Sequence, residues 1–259
     1  ARGWVAHPRN RAPSMRLGRL MLLCAVLLTG NVHAELLRIA VAGNFASTLE
    51  RLAPAFEVDT GHELTLSSGS TGKLYAQIRQ GAPFDVFLAA DVERPSALER
   101  EGVVVPGSRF TYAIGKLALW VPGGSGGLDI AALLNATPVP RVAIANPRVA
   151  PFGAAAEAWL RHEGVWERLG PTAIRGENVA QAFHFAASGN AKLGLVALGQ
   201  LRTLASVPGD YEILPSDTYP AIEQQAVMLR DSAANREFMA WLRSPETRHR
   251  LLDLGYGSP

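Results

Sequence analysis

The amino-acid sequence predicts an α/β protein, a two-lobed clamshell with mostly parallel sheets and two crossing hinge strands. Short apolar runs alternate with amphipathic helical segments, and this alternation is typical of parallel sheets. A long apolar stretch at 112–121 and a second long strand at 222–229 interrupt the alternation. We expect them to cross between two lobes. The lobes are then residues 35–115 with 223–259, and residues 116–222.

The first lobe begins with a strand at 36–41 and a helix that Asn44 is expected to cap. Apolar residues recur at helical spacing after Asn44, and Gly61 ends the helix. The other elements predicted in this part are a strand at 64–66, a turn at 67–72, a helix at 73–79, a strand at 84–88 and a helix at 91–101, which Asp91 caps.

The second lobe and the C-terminal segment continue the same pattern. The loop at 123–127 contains four glycines and is predicted to be flexible. The elements predicted in this part are a strand at 142–145, helices at 153–161 and 179–187, a strand at 193–198, and helices at 233–242 and 245–254.

Residues 1–34 have the composition of upstream residues and a secretory signal peptide. Arg16 and Arg19 precede a short apolar run, and cleavage is expected after Ala34. This run is too short to span a bilayer, which takes about 20 apolar residues. The single cysteine, Cys24, is expected to be a passive apolar residue rather than a lipoprotein anchor, because bulky Leu23 precedes it. No disulfide or zinc–cysteine site is therefore expected after residue 34.

The charge of the chain argues against nucleic-acid binding. The first 34 residues hold five of the 25 Lys and Arg and none of the 23 Asp and Glu, so the remainder carries a formal charge of −3. A protein that binds nucleic acid normally shows a basic footprint, and this one does not. An anionic ligand would have to be held by local dipoles.

Four strand-to-helix junctions consist of small or neutral polar residues. The backbone N–H groups at a helix start are unpaired and lie at the positive end of the helix dipole, so several such starts together form an anion site without charged side chains. Capping alone explains any one junction, but four of them on both halves favour a function. The junctions are Gly43-Asn44, Ser70-Thr71-Gly72, Pro151-Phe152-Gly153 and Asn178-Val179.

A site made only of donors favours a fully deprotonated oxyanion. A protonated phosphate would set its O–H against an N–H, and the mismatch would weaken its binding.

Several ordered segments carry a resemblance to a known family. They are 39–45 (IAVAGNF), 67–78 (SSGSTGKLYAQI), 81–91 (GAPFDVFLAAD), 107–120 (GSRFTYAIGKLALW), 144–147 with 150–153, 177–179 and 193–198. Together they resemble the periplasmic molybdate-binding component of ABC importers over residues 35–257.

The resemblance implies the type II periplasmic binding fold, with the ligand between the lobes. Asn44 and Thr71 match side-chain ligands, Phe152 and Val179 match positions that supply backbone N–H groups, and Gly43 and Ser70 lie beside them. Gly43 is expected to supply only a backbone donor. Some members use a tyrosine where this chain has Ala197. Molybdate or tungstate would be bound as an oxyanion through Asn44, Thr71, Phe152 and Val179, and no cofactor is expected.

The resemblance also implies a location and partners. The protein is expected to be a monomer in the periplasm, to deliver its ligand to an ABC permease and ATPase at the inner membrane, and to have no catalytic residues.

An enzyme is a second hypothesis, and the motifs argue against it. Gly69 to Lys73 has only two residues between its glycines and Leu74 after the lysine, so it does not fit a P-loop. No nucleophile elbow with strand–helix context is present. The histidines at 62, 162, 184 and 249 show no metal-ligand spacing, and Asp85 and Asp91 flank a strand without facing each other.

A third hypothesis keeps the fold and changes the ligand to sulfate, another oxyanion or an organic anion. An organic acid usually needs an arginine clamp, for which Arg109, Arg148 and Arg175 are candidates. Sulfate has the shape and charge of molybdate, so the sequence leaves it open.

Overall fold

Ten strands form two five-stranded sheets in the computed structural model, which describes residues 3–4 and 34–259. The first sheet has the order β2-β1-β3-β10-β4 and the second the order β7-β6-β8-β5-β9. The strands are β1 Leu36–Ala42, β2 Glu63–Gly69, β3 Val86–Leu88, β4 Phe110–Gly115, β5 Leu117–Val121, β6 Val142–Ala145, β7 Ile174–Gly176, β8 Leu193–Ala197, β9 Asp210–Ile213 and β10 Ile222–Met228. The predicted signal peptide and Cys24 lie outside the described residues, except for Ala34.

Helices follow most of the strands and cover the sheets. They are α1 Ala46–Thr60, α2 Thr71–Arg79, α3 Glu93–Arg100, α4 Ile130–Leu134, α5 Pro151–His162, α6 Trp166–Leu169, α7 Val179–Ala187, α8 Leu198–Arg202, α9 Ala233–Arg243 and α10 Pro245–Asp253, with a 3-10 turn at Gly170–Thr172. In the described part of the chain, no helix is long and apolar enough to cross a membrane.

Both sheets are built on the same plan, which confirms the α/β prediction. Three parallel strands form one side of each sheet, β2-β1-β3 in the first and β7-β6-β8 in the second. The other two strands pair antiparallel, so each sheet is mixed, with as many antiparallel as parallel pairings. In the first sheet, β4 runs toward the second sheet and β10 returns from it, so the two strands must run in opposite directions.

The chain passes between the sheets twice. The run predicted as one crossing strand is divided: β4 ends at Gly115 in the first sheet and β5 starts at Leu117 in the second. The return falls in residues 214–221, before β10, which lies wholly in the first sheet. The two passages touch, because the Tyr219 hydroxyl accepts a hydrogen bond from the Leu117 N–H at 3.1 Å. The predicted lobe boundaries stay a prediction.

Buried side chains form a core around each sheet. Phe45, Phe56 and Phe238 are among the largest in the first, and Trp120 and Trp159 in the second. Full burial of such a side chain contributes about 1.5–3 kcal/mol. These cores hold in place the loops at the carboxyl ends of the strands.

Most of the predicted elements are present, and the differences have local causes. The turn predicted at 67–72 is wrong, because β2 continues to Gly69 alongside β1 and α2 already starts at Thr71. Gly61 ends α1 in the left-handed region, with φ 74°, as predicted. The elements that the pattern missed are short: α4, α6, α8, β7, β9 and the 3-10 turn.

Candidate functional site

A small cavity lies between the carboxyl ends of strands from both sheets. Among the residues that the structure describes, no charged side chain lines it, and its lining includes all six of the predicted site residues. The lining residues are Ala42, Gly43, Asn44, Gly69, Ser70, Thr71 and Ala90 from the first part of the chain, and Ala150, Pro151, Phe152, Asn178 and Val179 from the second.

Three helices begin at this cavity: α2 at Thr71, α5 at Pro151 and α7 at Val179. The N–H groups of a first helical turn have no partner inside the helix. Proline has no N–H, so Phe152 is the first residue of α5 that offers one. The positive ends of three helices, one from the first part of the chain and two from the second, therefore meet at the cavity. This arrangement favours the binding of an anion.

The hydroxyls of Ser70 and Thr71 lie at the start of α2, and both side chains are buried. The Thr71 Oγ1 accepts a hydrogen bond from the Ala90 N–H at 3.1 Å, and the Ser70 Oγ caps the helix by accepting from the Lys73 N–H at 3.3 Å. Each oxygen uses a lone pair in these bonds and keeps its own proton. Both hydroxyls can therefore donate to a ligand.

Asn44 does not cap α1, contrary to the prediction. The helix begins at Ala46, and Phe45 occupies the cap position without a side-chain hydrogen bond. The Asn44 side chain is buried and donates from Nδ2 to the Gln224 Oε1 at 2.7 Å. The backbone carbonyl oxygen of Asn44 accepts a hydrogen bond from the Tyr256 hydroxyl at 3.2 Å. Asn44 is therefore held on both sides at the wall of the cavity.

Gly43 lines the cavity, but its N–H is not the donor that the sequence suggested. That N–H donates to the Gly69 carbonyl oxygen at 2.9 Å and extends the pairing of β1 with β2. The absence of a side chain is what matters here. A Cβ on Gly43 would stand 3.0 Å from the Cγ and Oδ1 of Asn178, so glycine lets the two halves approach closely.

The charged residues that the sequence analysis considered for catalysis or for an arginine clamp do not line this cavity. Asp85 forms ion pairs with Arg38 and Arg230. Asp91 accepts from the Arg94 N–H at 3.0 Å near the start of α3, although Val92 and not Asp91 occupies the cap position. Arg109 pairs with Glu99. Arg148 and Arg175 line a separate surface cavity. Within residues 34–259, no group of three His, Cys, Asp or Glu side chains is arranged to hold a metal ion.

Sequence reasoning missed the residues behind the cavity wall. Gln224, Tyr112 and Tyr256 are buried and support Asn44. Burial raises the pKa of both tyrosines above the ordinary value, so both phenols stay neutral. A signal was available for Gln224, because two adjacent glutamines lie within a predicted strand and buried amides need partners.

The pattern of bacterial extracellular solute-binding proteins matches residues 37–257. The chain belongs to this family. It is 41% identical to the molybdate-binding protein ModA of Azotobacter vinelandii over 249 residues, covering 94% of this chain and 99% of the relative. It is 40% identical to the ModA protein of Rhodobacter capsulatus, covering 95% and 96% of the two chains.

A solved structure supports the same assignment. The periplasmic molybdate-binding protein of Azotobacter vinelandii superposes with a TM-score of 0.81 at 39% identity, over 86% of this chain and 99% of that one. This confirms the two-lobed type II binding fold, with one sheet in each lobe. The cavity lies between the lobes, and ligand sites are common at such interfaces.

Proposed function

We propose that this protein captures molybdate or tungstate in the periplasm and delivers it to an ABC importer. The observation that carries the proposal is the cavity between the lobes, which three helix starts surround and no charged side chain lines. The relatives of about 40% identity that bear the name molybdate-binding protein support the choice of ligand.

The ligand would be held by neutral donors from both lobes. We assign the side chains of Asn44, Ser70 and Thr71 from the first lobe and the N–H groups of Phe152 and Val179 from the second. Gly43 contributes space for the approach of Asn178 rather than a donor. Because every proposed ligand group donates, a dianion without protons fits the site best.

Transport would proceed through export, ligand binding, closure of the lobes and delivery. Cleavage after Ala34 would release it to the periplasm, and a monomer would bind the dianion on one lobe before the other lobe closes. Bending would occur where the chain passes between lobes, at Lys116 and at 214–221. A permease with its ATPase would then receive the ligand, so we expect binding and no turnover from this chain.

Calorimetric titration of residues 35–259 with molybdate, tungstate, sulfate and phosphate tests the proposal. We expect tight binding of the first two and no heat from the others. Tight sulfate binding would support the proposed donor site but would make sulfate a substrate. The absence of binding to any oxyanion would overturn the proposal.

A further inference from the structure

Gln224 is a fully buried amide with an unusual set of partners. It lies on β10 with 0% exposure. Its Oε1 accepts hydrogen bonds from the Asn44 Nδ2 at 2.7 Å and from the Tyr112 hydroxyl at 3.0 Å. Its own Nε2 has no hydrogen-bond partner among the described residues. An orphaned buried donor costs free energy, and an aliphatic side chain of similar size would avoid that cost.

The retained amide is explained by what it does to Asn44. The Nδ2 of Asn44 carries two protons, and one of them is donated in a hydrogen bond to the Gln224 Oε1. The Tyr256 hydroxyl, itself hydrogen-bonded to Thr48 at 2.9 Å, donates to the backbone carbonyl oxygen of Asn44 and holds the main chain there. Because Gln224 orients the side-chain amide, the second Nδ2 proton stays available to the cavity that Asn44 lines.

Gln224 also lies at the passage between the lobes. A Cβ on Gly115 would stand 3.0 Å from the Gln224 Nε2 and 2.8 Å from the Cζ of Phe152. Gly115 is the last residue of β4, and Phe152 is the first donor of α5. Gln224 thus bonds to Asn44 of the first lobe, and its amide lies near the ring of Phe152 of the second.

Building on the proposed function, we propose that Gln224 is a positioning residue of the oxyanion site, whose neutral carbonyl oxygen orients the Asn44 amide as a donor to the bound anion. A carboxylate would accept the same two hydrogen bonds, but its charge would repel a dianion in a buried setting. Among the described residues, the titratable side chains hydrogen-bonded to Gln224 or Asn44 are Tyr112 and Tyr256, and burial raises the pKa of both, so both are neutral.

The experiment compares Gln224→Leu with Gln224→Glu by molybdate titration at about pH 5 and about pH 9, each relative to the wild type at the same pH. Burial raises the pKa of a carboxyl, so the glutamate is protonated at the lower pH and ionised at the higher one. We expect the leucine variant to bind about tenfold more weakly at both pH values. We expect the glutamate variant to stay within about threefold of wild type at low pH and to weaken about a hundredfold at high pH.

Gln225→Glu is the matched control. This neighbouring glutamine accepts from Arg109 and donates to Thr111, with no bond to Asn44. Its variant should bind as the wild type does at both pH values. Thermal melting of the ligand-free proteins at both pH values separates weaker binding from unfolding.

Three results would overturn the inference: wild-type affinity of Gln224→Leu, a pH-independent affinity ratio for Gln224→Glu, or a loss of binding that merely follows unfolding. A wild-type protein that binds no oxyanion would instead overturn the proposed function, and this inference with it.

Discussion

Thr71 illustrates how a single side chain can serve two hydrogen bonds at this site. Its oxygen accepts from the Ala90 N–H, and its proton remains for the ligand. The side chain is 1% exposed, so water does not compete for that proton. Hydroxyls, amides and backbone N–H groups of this kind solvate a dianion without the countercharge that an arginine would bring.

Removal of the Thr71 hydroxyl should therefore weaken binding. We expect Thr71→Val to cost about 1–3 kcal/mol of binding free energy, measured by calorimetric titration with molybdate. Thr71→Ser keeps the hydroxyl and should retain most of the affinity. Equal affinities for the valine variant and the wild type would remove Thr71 from the site.

The buried tyrosines behind Asn44 predict a loss of stability in alkali. Burial raises the pKa of Tyr112 and Tyr256 above the ordinary value of about 10. The unfolded chain then loses these protons at a lower pH than the folded chain, so stability is full below about pH 10 and falls as the pH rises above it.

Denaturant unfolding across this range measures the effect. The double variant Tyr112→Phe with Tyr256→Phe should show a smaller decrease of stability above about pH 10. An unchanged pH dependence in that variant would mean that other groups cause the loss.

At the scale of elements, the start of α7 combines stability with ligand recognition. Asn178 caps this helix by accepting from the Gln181 N–H at 3.0 Å, and the same residue lines the cavity. The cap keeps the first turn intact, and the Val179 N–H belongs to that turn. A change at Asn178 therefore affects folding and binding for different reasons, which makes the two effects separable.

The variant Asn178→Asp separates the effect on folding from the effect on binding. Aspartate caps a helix as well as asparagine does, and a negative charge suits the helix start, so the melting temperature should not fall. The added charge should repel the dianion and weaken molybdate binding at least about tenfold. Asn178→Ser keeps a neutral cap and serves as the control for both measurements. Unchanged affinity in the aspartate variant would place the ligand away from α7.

At the scale of the whole molecule, the lobes touch at the rim of the cavity. The Gly72 N–H of the first lobe donates to the Val149 carbonyl oxygen of the second at 2.9 Å. Lys73 and Glu177 form an ion pair beside it, with side chains 50% and 62% exposed. An exposed pair of this kind contributes little, so we attribute the close contact mainly to the backbone at Gly72.

Gly72→Ala should hinder this approach of the lobes. Its Cβ would stand 3.0 Å from the Val149 oxygen, although alanine suits the helix itself. We expect unchanged or slightly higher stability and molybdate affinity lower by about threefold to tenfold in titration. Gly123→Ala meets no atom within 4 Å and is the control. If Gly72→Ala bound as tightly as Gly123→Ala, the rim contact would not contribute to binding.

Much of this architecture follows from periodicity and local chemistry. The strand at Val142–Ala145 and the helix at Val179–Ala187 have the predicted bounds, because burial on both faces and helical spacing are properties of consecutive residues. The four junctions of small neutral residues were visible for the same reason. The short elements, such as α6 and β9, carry too few residues to show a period.

The sequence by itself determined the fold class, the family and which residues meet at the cavity. Tertiary structure alone decided their hydrogen bonds: Gly43 uses its N–H within the sheet, and Asn44 turns from the helix to Gln224, 180 residues away. Both pairs lie at the first sheet, whose strand order brings segments that are distant in sequence side by side. The local sequence pattern does not reveal these partners, because the free energy of a buried amide depends on the groups that packing brings to it.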